Sequence, residues 1–207
     1  MKVTIIDYGI GNIFSVCSAI KKVGHEPFLT KKENDIKKSD LVILPGVGSF
    51  DKAAEQLKKN SLDYYLKDYI LLERPILGIC VGMQLMMSYG EEGEGADGLD
   101  LFKGKVKKLK TSGSKLKKIP IPHIAWAKIH NNETLKERNL LQEDDYMYFV
   151  HSYNCELENM SEVSSYSFYG GIKLTSSIQK KNICGVQFHP EKSGKSGLKF
   201  LKNYIEK

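Results

Sequence analysis

A cysteine at position 80 lies between two glycines in the stretch PILGICVGMQ, residues 75–84. An apolar strand is predicted before it and a helix after it. Gly78, Cys80 and Gly82 therefore match the strand–turn–helix elbow on which many hydrolases present their nucleophile, with cysteine in place of serine. A helix N-terminus favours a thiolate, and the Val81 N–H would point at a developing oxyanion. The pattern predicts a nucleophilic thiol, although the pentapeptide alone would also fit a packed core cysteine.

A candidate base lies near the other end of the chain, in GVQFHPEKS, residues 185–193. A thiol nucleophile needs a base within hydrogen-bond reach, and that base needs a group that orients it. His189 and Glu191 could fill these two roles, with Pro190 stiffening the backbone between them. A lone His-x-Glu is a weak signal, but its combination with a cysteine elbow is far more specific.

A glycine-rich turn, PGVGSF at residues 45–50, follows the predicted strand 41–44. The carboxyl ends of parallel strands meet at one edge of a sheet, where ligands bind. Backbone N–H groups around Val47 and Gly48 could therefore act as the second donor to an oxyanion. A phosphate-binding loop is disfavoured because no Lys-Ser/Thr follows, and the glycines at 9 and 11 lack the third glycine of a dinucleotide site.

Short apolar strands alternate with amphipathic helices in the first half of the chain. The predicted strands are 3–8, 26–30, 41–44 and 76–79, and the predicted helices are 13–23, 51–59, 62–72 and 82–88. This alternation indicates a parallel sheet covered by helices on both faces. After a polar loop at 91–100, short strands dominate at 105–109, 123–129, 146–157, 163–169, 172–179 and 183–188, before a last helix around 198–205. We expect an α/β fold in a single domain, 1–207, with antiparallel strands added to a mostly parallel central sheet.

Composition excludes several classes of protein. The 207 residues are 41% hydrophobic and 27% charged, with a net charge of +6, which is an ordinary globular balance without a membrane-length apolar run. Eight lysines between positions 103 and 118 lack the aromatic residues and arginines of a nucleic-acid site and are expected to be solvated. Four cysteines without CxxC spacing or a secretory signal predict reduced thiols in a cytoplasmic protein. The histidines show no metal-ligand spacing, so neither a metal nor a cofactor is expected.

The chain resembles the class I (triad) glutamine amidotransferases over essentially its whole length. Within that family it is most similar to the subunits that supply ammonia for imidazole glycerol phosphate synthesis in histidine biosynthesis. The motifs that carry the resemblance are IIDYGIGN (5–12), LPGVGSF (44–50), GICVGMQL (78–85), EEG (91–93), PHIAW (122–126), YFVHSY (148–153) and GVQFHPEKS (185–193).

The resemblance implies that Cys80 attacks the side-chain amide of L-glutamine, that His189 moves the proton and that Glu191 orients His189. The implied oxyanion donors are the backbone N–H groups of Val81 and of Val47 or Gly48. The residues implied to bind the amino-acid end of the substrate are Gln84, Glu92, His151, Ser152 and Tyr153. A carboxylate such as Glu92 suits an α-ammonium group.

The resemblance also implies a heterodimer with a (β/α)8 cyclase subunit, which receives the ammonia and makes imidazole glycerol phosphate and AICAR. The residues implied to contact or gate the partner are Asn12, Trp126, Tyr148 and Lys192. In the family, the glutaminase is nearly inactive until the partner subunit has bound its ligand. We expect a peptide flip near Val47, which the flanking glycines Gly46 and Gly48 permit.

One motif departs from the family pattern. The usual Pro-His-x-Gly-Trp-Asn is PHIAWA at 122–127, so alanines replace the glycine and the asparagine. This leaves a paralogous glutaminase for amidino-sugar formation in surface glycan biosynthesis as the main alternative. A stand-alone γ-glutamyl hydrolase and a non-catalytic interaction module are further alternatives.

Overall fold

The computed structural model describes residues 1–110, 119–132, 140–142 and 145–207. The helices are α1 Ile13–Lys22, α2 Glu33–Lys37, α3 Phe50–Lys59, α4 Leu62–Leu71, α5 Val81–Gln84 and α6 Gly194–Ile205. The strands are β1 Val3–Ile6, β2 Pro27–Thr30, β3 Leu41–Leu44, β4 Ile76–Ile79, β5 Met87–Gly90, β6 Ala96–Asp97, β7 Phe102–Lys108, β8 His123–Lys128, β9 His130–Asn131, β10 Tyr146–His151, β11 Tyr153–Leu157, β12 Val163–Tyr169, β13 Ile172–Lys180 and β14 Ile183–Val186.

The central sheet has the strand order β2-β1-β3-β4-β14-β13-β12-β9. The first five strands of this order are parallel, and β13, β12 and β9 extend the sheet in antiparallel fashion. Strands β1, β3, β4 and β14 are buried along their whole length, as expected for apolar strands covered on both faces. The predicted α/β fold with a mostly parallel sheet and antiparallel additions is confirmed.

The helices pack through apolar faces with helical spacing. In α3 the buried positions are Phe50, Ala53, Ala54 and Leu57, which recur at i, i+3, i+4 and i+7. Helix α1 contacts α6, whereas α4 contacts α2 and α3. These two groups form the helical layers that the alternating pattern predicts. None of the helices described is both long and apolar enough to cross a membrane.

Several predicted limits differ by a few residues from those in the structure, and two predicted elements differ by more than that. The helix predicted over 82–88 ends at Gln84, because residues 87–90 pair as β5 with β6 and β7 instead. The strand predicted over 146–157 divides at Ser152, because β10 pairs with β8 whereas β11 pairs with β7. Strands β6 and β9 and the short helix α2 were not predicted. Long-range strand pairing, which a local pattern does not contain, decides each strand boundary.

The lysine-rich segment starts on β7, where Lys103 and Lys107 pair with carboxylates. The Nζ of Lys103 lies 2.6 Å from Asp100 Oδ2, and the Nζ of Lys107 lies 2.9 Å from Glu156 Oε2. These side chains are at the surface, as expected for a solvated run. Residues 111–118, which hold its last three lysines, lie outside the described residues.

Strands β3, β4 and β14 are neighbours, so their carboxyl ends meet at the centre of one sheet edge. Three glycines allow the backbones there to touch. A Cβ on Gly46 would lie 2.6 Å from the Gly82 nitrogen, and a Cβ on Gly78 would lie 2.7 Å from the Gly82 carbonyl carbon. A Cβ on Gly82 would overlap the Leu44 carbonyl oxygen. The elbow and the glycine-rich turn therefore pack main chain against main chain.

This packing predicts a large cost for one added methyl group. The Gly82→Ala variant should lose about 3 kcal/mol of unfolding free energy, because the overlapping atoms are backbone and cannot rotate away. Gly24→Ala is the control: its φ is positive, unlike that of Gly82, but no atom lies within 4 Å of an added Cβ, so only about 1 kcal/mol of backbone strain is expected. Urea unfolding of both variants measures the difference. Equal losses would contradict the close packing.

Candidate active site

Cys80 lies at the sharp turn between β4 and α5. Its φ of 54° and ψ of −111° are unusual for a residue with a side chain, and such strain is often found at functional sites. Its N–H donates to the Val186 carbonyl oxygen at 2.8 Å, and its carbonyl oxygen accepts from the Gln84 N–H at 3.1 Å. The residue is 4% exposed. Helix α5 comprises only four residues, so its dipole is that of one short turn.

His189 follows β14 and is held by its main chain to β10. Its N–H donates to the Tyr148 carbonyl oxygen at 2.9 Å. The buried Ser193 hydroxyl donates to the His189 carbonyl oxygen at 2.6 Å and accepts from the Tyr148 N–H at 2.9 Å. The ring Nδ1 of His189 lies 2.8 Å from Glu191 Oε1, and the two side chains are 3% and 1% exposed. The histidine is therefore fixed at both its backbone and its ring.

Two opposing effects set the pKa of His189. Burial lowers it, but the hydrogen bonds and charges of Cys80 and Glu191 outweigh burial and raise it to about 10. At neutral pH the ring is therefore an imidazolium, with Nδ1–H donating to Glu191. In this state the His189 ring can donate a proton but cannot accept one.

A cavity of about 290 Å³ opens over Cys80. Every predicted oxyanion and substrate-binding position lines it, together with two of the three predicted catalytic residues. These lining residues are Val47, Gly48, Cys80, Val81, Gln84, Glu92, His151, Ser152, Tyr153 and His189. Glu191 lies behind His189 rather than on the wall. Pro122 and Val150 also line the cavity and were not predicted.

Glu92 lies on the cavity wall at the start of α3. Its Oε2 accepts from the Phe50 N–H at 2.7 Å. Burial raises the pKa of this carboxyl, while the hydrogen bond from Phe50 opposes the rise and the nearby Asp51 charge adds to it. A half-buried carboxylate of this kind binds a cationic group readily because solvent screens it only partly.

A pair of buried histidines holds the opposite wall. The Nδ1–H of His151 donates to the Tyr153 carbonyl oxygen at 2.7 Å, since that oxygen can only accept. The Nε2 of His151 must then accept from Nδ1 of His123, 3.0 Å away. Burial lowers the pKa of His151 to about 3 and that of His123 to about 4. Both rings are therefore neutral, and their hydrogen bonds fix the segment 151–153.

The four predicted partner-facing residues lie outside the cavity lining. Trp126 on β8 and Tyr148 on β10 are cross-strand neighbours whose rings meet edge to face at 6.0 Å. Trp126 is 53% exposed, Lys192 is exposed and Asn12 is half-buried just before α1. Ala127, where the family has asparagine, is 7% exposed and faces inward.

Sequence reasoning missed three residues that support the site. Gln187 contacts both Cys80 and Gln84, Ser193 links His189 to β10, and His123 supports His151. Gln187 could have been found from its position two residues before His189, since alternate residues of an extended chain share a face. The described residues hold no cluster of three or more His, Cys, Asp or Glu that could bind a metal. All four cysteines are free thiols.

Comparisons with known proteins agree with this geometry. The family described as glutamine amidotransferase class-I matches residues 4–207. Imidazole glycerol phosphate synthase subunit HisH of Bacillus cereus (strain G9842) is 42% identical over 98% of this chain and 93% of its own length. The same subunit of Lactococcus lactis subsp. lactis (strain IL1403) is 40% identical over 99% and 98%.

A solved structure agrees in fold. PurLQS from Thermotoga maritima superimposes with a TM-score of 0.73 at 16% identity, over 99% of this chain and 97% of that one. The family match spans nearly the whole chain and includes the elbow, the glycine-rich turn and the His-Pro-Glu segment. The chain belongs to the class-I glutamine amidotransferases, a family of enzymes.

Proposed function

We propose that the protein is the glutaminase subunit of an imidazole glycerol phosphate synthase. It hydrolyses L-glutamine to glutamate and ammonia in the cytoplasm. The ammonia passes to a (β/α)8 cyclase subunit, which makes imidazole glycerol phosphate and AICAR for histidine biosynthesis. The observation that carries this proposal is a cavity of about 290 Å³ lined by Cys80 and His189, with Glu191 bonded to the His189 ring behind it, in a chain about 40% identical to such subunits.

The reaction starts from a thiolate and an imidazolium. The Cys80 sulfur attacks the amide carbon of glutamine, and the resulting oxyanion accepts hydrogen bonds from the Val81 N–H and from an N–H at Val47 or Gly48. His189 gives its proton to the departing nitrogen, so ammonia leaves and a thioester remains. A water then loses a proton to His189 and attacks the thioester. Glutamate departs, and the thiolate–imidazolium pair is restored.

The cavity wall accounts for recognition of the amino-acid end of glutamine. Glu92 presents a carboxylate to the α-ammonium group, and Gln84 also lines the cavity. The backbone of residues 151–153 can bind the α-carboxylate through its N–H groups. We infer that the His123–His151 pair keeps this backbone in place, because both rings are neutral and their tautomers are fixed.

The free subunit is expected to have little glutaminase activity. The glycine-rich turn at residues 45–50, called the oxyanion turn below, provides a physical basis for this. Gly46 packs against Val81 and Gly82, and Gly48 has a φ of +86°. A peptide between these two glycines can rotate at little steric cost. We propose that partner binding turns this peptide so that its N–H joins that of Val81. Equal glutaminase rates in the free and the partner-loaded protein would contradict this mechanism.

The altered PHIAWA motif does not favour the amidino-sugar alternative. Ala127 faces the interior of the β8–β10 pair, so the loss of asparagine leaves the exposed side of Trp126 unchanged. Curated relatives at about 40% identity that are named HisH support the histidine pathway. The two pathways differ in the acceptor of ammonia and not in the chemistry at Cys80.

The Cys80→Ala variant should lose glutamine-dependent synthesis by roughly 10³-fold or more, because no nucleophile remains. Synthesis from added ammonia by the complex should persist, since only the nitrogen source is removed. Cys17→Ala, which changes a cysteine outside the cavity, is the matched control. Product formation with each nitrogen source measures the effect.

Three outcomes would contradict the proposal. Unchanged glutamine-dependent synthesis in Cys80→Ala would exclude this cysteine as the nucleophile. Fast hydrolysis of γ-glutamyl peptides by the isolated chain would favour the stand-alone hydrolase. Failure of the wild-type chain and its cyclase to rescue a histidine auxotroph, despite an active pair in vitro, would support the amidino-sugar pathway.

Stability should depend on pH through His189. Because its folded pKa of about 10 lies above its ordinary value of 6.5, protonation stabilises the fold fully below pH 6.5. That contribution is lost as the pH rises through 10. Glu191→Gln removes one cause of the raised pKa, so the variant should lose less stability between pH 7 and pH 10.

Urea unfolding at a series of pH values tests this expectation. The buried thiols of Cys155 and Cys184 also have raised pKa values because of burial, and both proteins contain them. The difference between the two stability curves therefore isolates the His189–Glu191 pair. Parallel curves from pH 7 to pH 10 would refute the assignment.

The exposed face of the β8–β10 pair should contribute to partner binding. Trp126→Ala should weaken association with the cyclase subunit roughly 30-fold, the effect of losing a central aromatic anchor. Tyr64→Ala on α4 is the control, because Tyr64 is also an exposed aromatic, with 70% of its surface accessible. Titration of labelled cyclase measures both dissociation constants. Equal affinities of the two variants for the cyclase would show that the partner does not bind at Trp126.

A further inference from the structure

The side chain of Gln187 lies between the nucleophile and the substrate-binding glutamine. It is completely buried. Its Nε2 is 3.7 Å from the Cys80 sulfur, and its Oε1 is 3.1 Å from the Nε2 of Gln84. Its own N–H donates to the Ser176 carbonyl oxygen at 2.8 Å. A polar side chain buried this deeply needs partners, and Cys80 and Gln84 are those partners.

The chemistry of the sulfur determines how the amide is oriented. A thiolate can only accept hydrogen bonds, so the NH₂ group of Gln187 faces the sulfur and its carbonyl oxygen faces Gln84. Gln84 must then donate to that oxygen through its own NH₂ group. The charge state of Cys80 therefore determines the orientation of both amides. With one N–H committed to Gln187, Gln84 keeps its carbonyl oxygen and its second N–H for other partners.

We propose that Gln187 is a positioning residue, which stabilises the Cys80 thiolate through its Nε2–H and fixes the amide of Gln84 through its Oε1. It couples the ionisation of the nucleophile to the shape of the substrate site. The inference deepens the proposed function and rests on it for the identity of the substrate. The coupling between the two side chains can be measured without any substrate.

Burial makes this donor important. In a site from which water is excluded, hydrogen bonds to a charged acceptor are stronger than between neutral groups. His189 contributes one charged donor to the sulfur, and Gln187, the residue after β14, contributes a neutral amide donor. Gln187 and His189 lie two residues apart in the segment after β14. The backbone conformation of this segment therefore positions both donors.

The first test measures how readily Cys80 is alkylated by iodoacetamide as a function of pH. The protein carries Cys17→Ala, so that the partly exposed Cys17 does not react. Gln187→Met removes the donor at similar side-chain length. The midpoint of the alkylation curve should rise by about one pH unit, a tenfold loss of thiolate at a given pH. Gln179→Met, the same change on β13, should leave the midpoint unchanged.

Steady-state kinetics of the cyclase complex give a second readout. In Gln187→Met, kcat for glutamine should fall because less thiolate is present, and KM should rise because Gln84 is no longer held. A merely structural role would lower the amount of folded enzyme without moving the alkylation midpoint. An unchanged midpoint in folded Gln187→Met would overturn the proposal.

A measurement on proteins that retain Gln187 keeps the test independent of how that variant folds. The side-chain ¹⁵N signal of Gln187 should shift with pH along the same curve as the alkylation of Cys80. It should become independent of pH in Cys80→Ser. A Gln187 side-chain ¹⁵N signal that does not change with pH in the wild-type protein would overturn the proposal. If the signal shifts but glutamine is not hydrolysed, the coupling stands and the proposed function fails.

Discussion

The structure depends on a contact between backbones at the end of three neighbouring strands. Gly46, Gly78 and Gly82 bring the main chain after β3 against the main chain around α5 at distances that no Cβ would allow. This contact holds Cys80 in its strained conformation, since the turn cannot relax without overlapping Leu44 or Gly46. It also places the oxyanion turn beside the Val81 N–H. The proposed nucleophile and the proposed oxyanion donors are thus positioned by one packing constraint.

The proposed base, His189, is positioned by a different part of the chain. It follows β14, which pairs with β4, and its N–H donates to Tyr148 on β10. The main chain of Tyr148 binds both His189 and Ser193, and the Tyr148 ring lies against Trp126 on the outer side. A partner bound to this outer side therefore contacts the strand that holds the base. This provides a direct mechanical route from the proposed interface to the catalytic histidine, alongside the oxyanion turn.

The sequence predicted those parts of the site whose positions follow from local constraints. The elbow, the glycine-rich turn and the His-Pro-Glu segment each follow an apolar strand, and parallel strands present their carboxyl ends together. Gln84, Glu92 and residues 151–153 were identified only through resemblance, because a helix glutamine or a loop glutamate carries no local signal. The roles of His123 and Ser193 depend on the pairing of β8 with β10 and on contacts across the chain, which no local pattern records. The predicted length of helix α5 was wrong for the same reason, since the residues that follow it form β5 and pair with β7, which lies later in the chain.

Charged side chains in a buried site need hydrogen-bonding partners on more than one side. His189 is an imidazolium although burial disfavours it, because Glu191 on one side and Cys80 on the other stabilise the charge. The thiolate of the proposed mechanism needs donors in turn, and the ring of His189 and the amide of Gln187 can supply them. In the proposed reaction, attack of the sulfur on the amide carbon moves the negative charge to the oxyanion, and the amide of Gln187 is no longer held by a charged sulfur. In the proposed mechanism the imidazolium has therefore lost one of its two anionic partners, and keeps Glu191, when it gives its proton to the departing amide nitrogen. The charge arrangement itself favours the forward step.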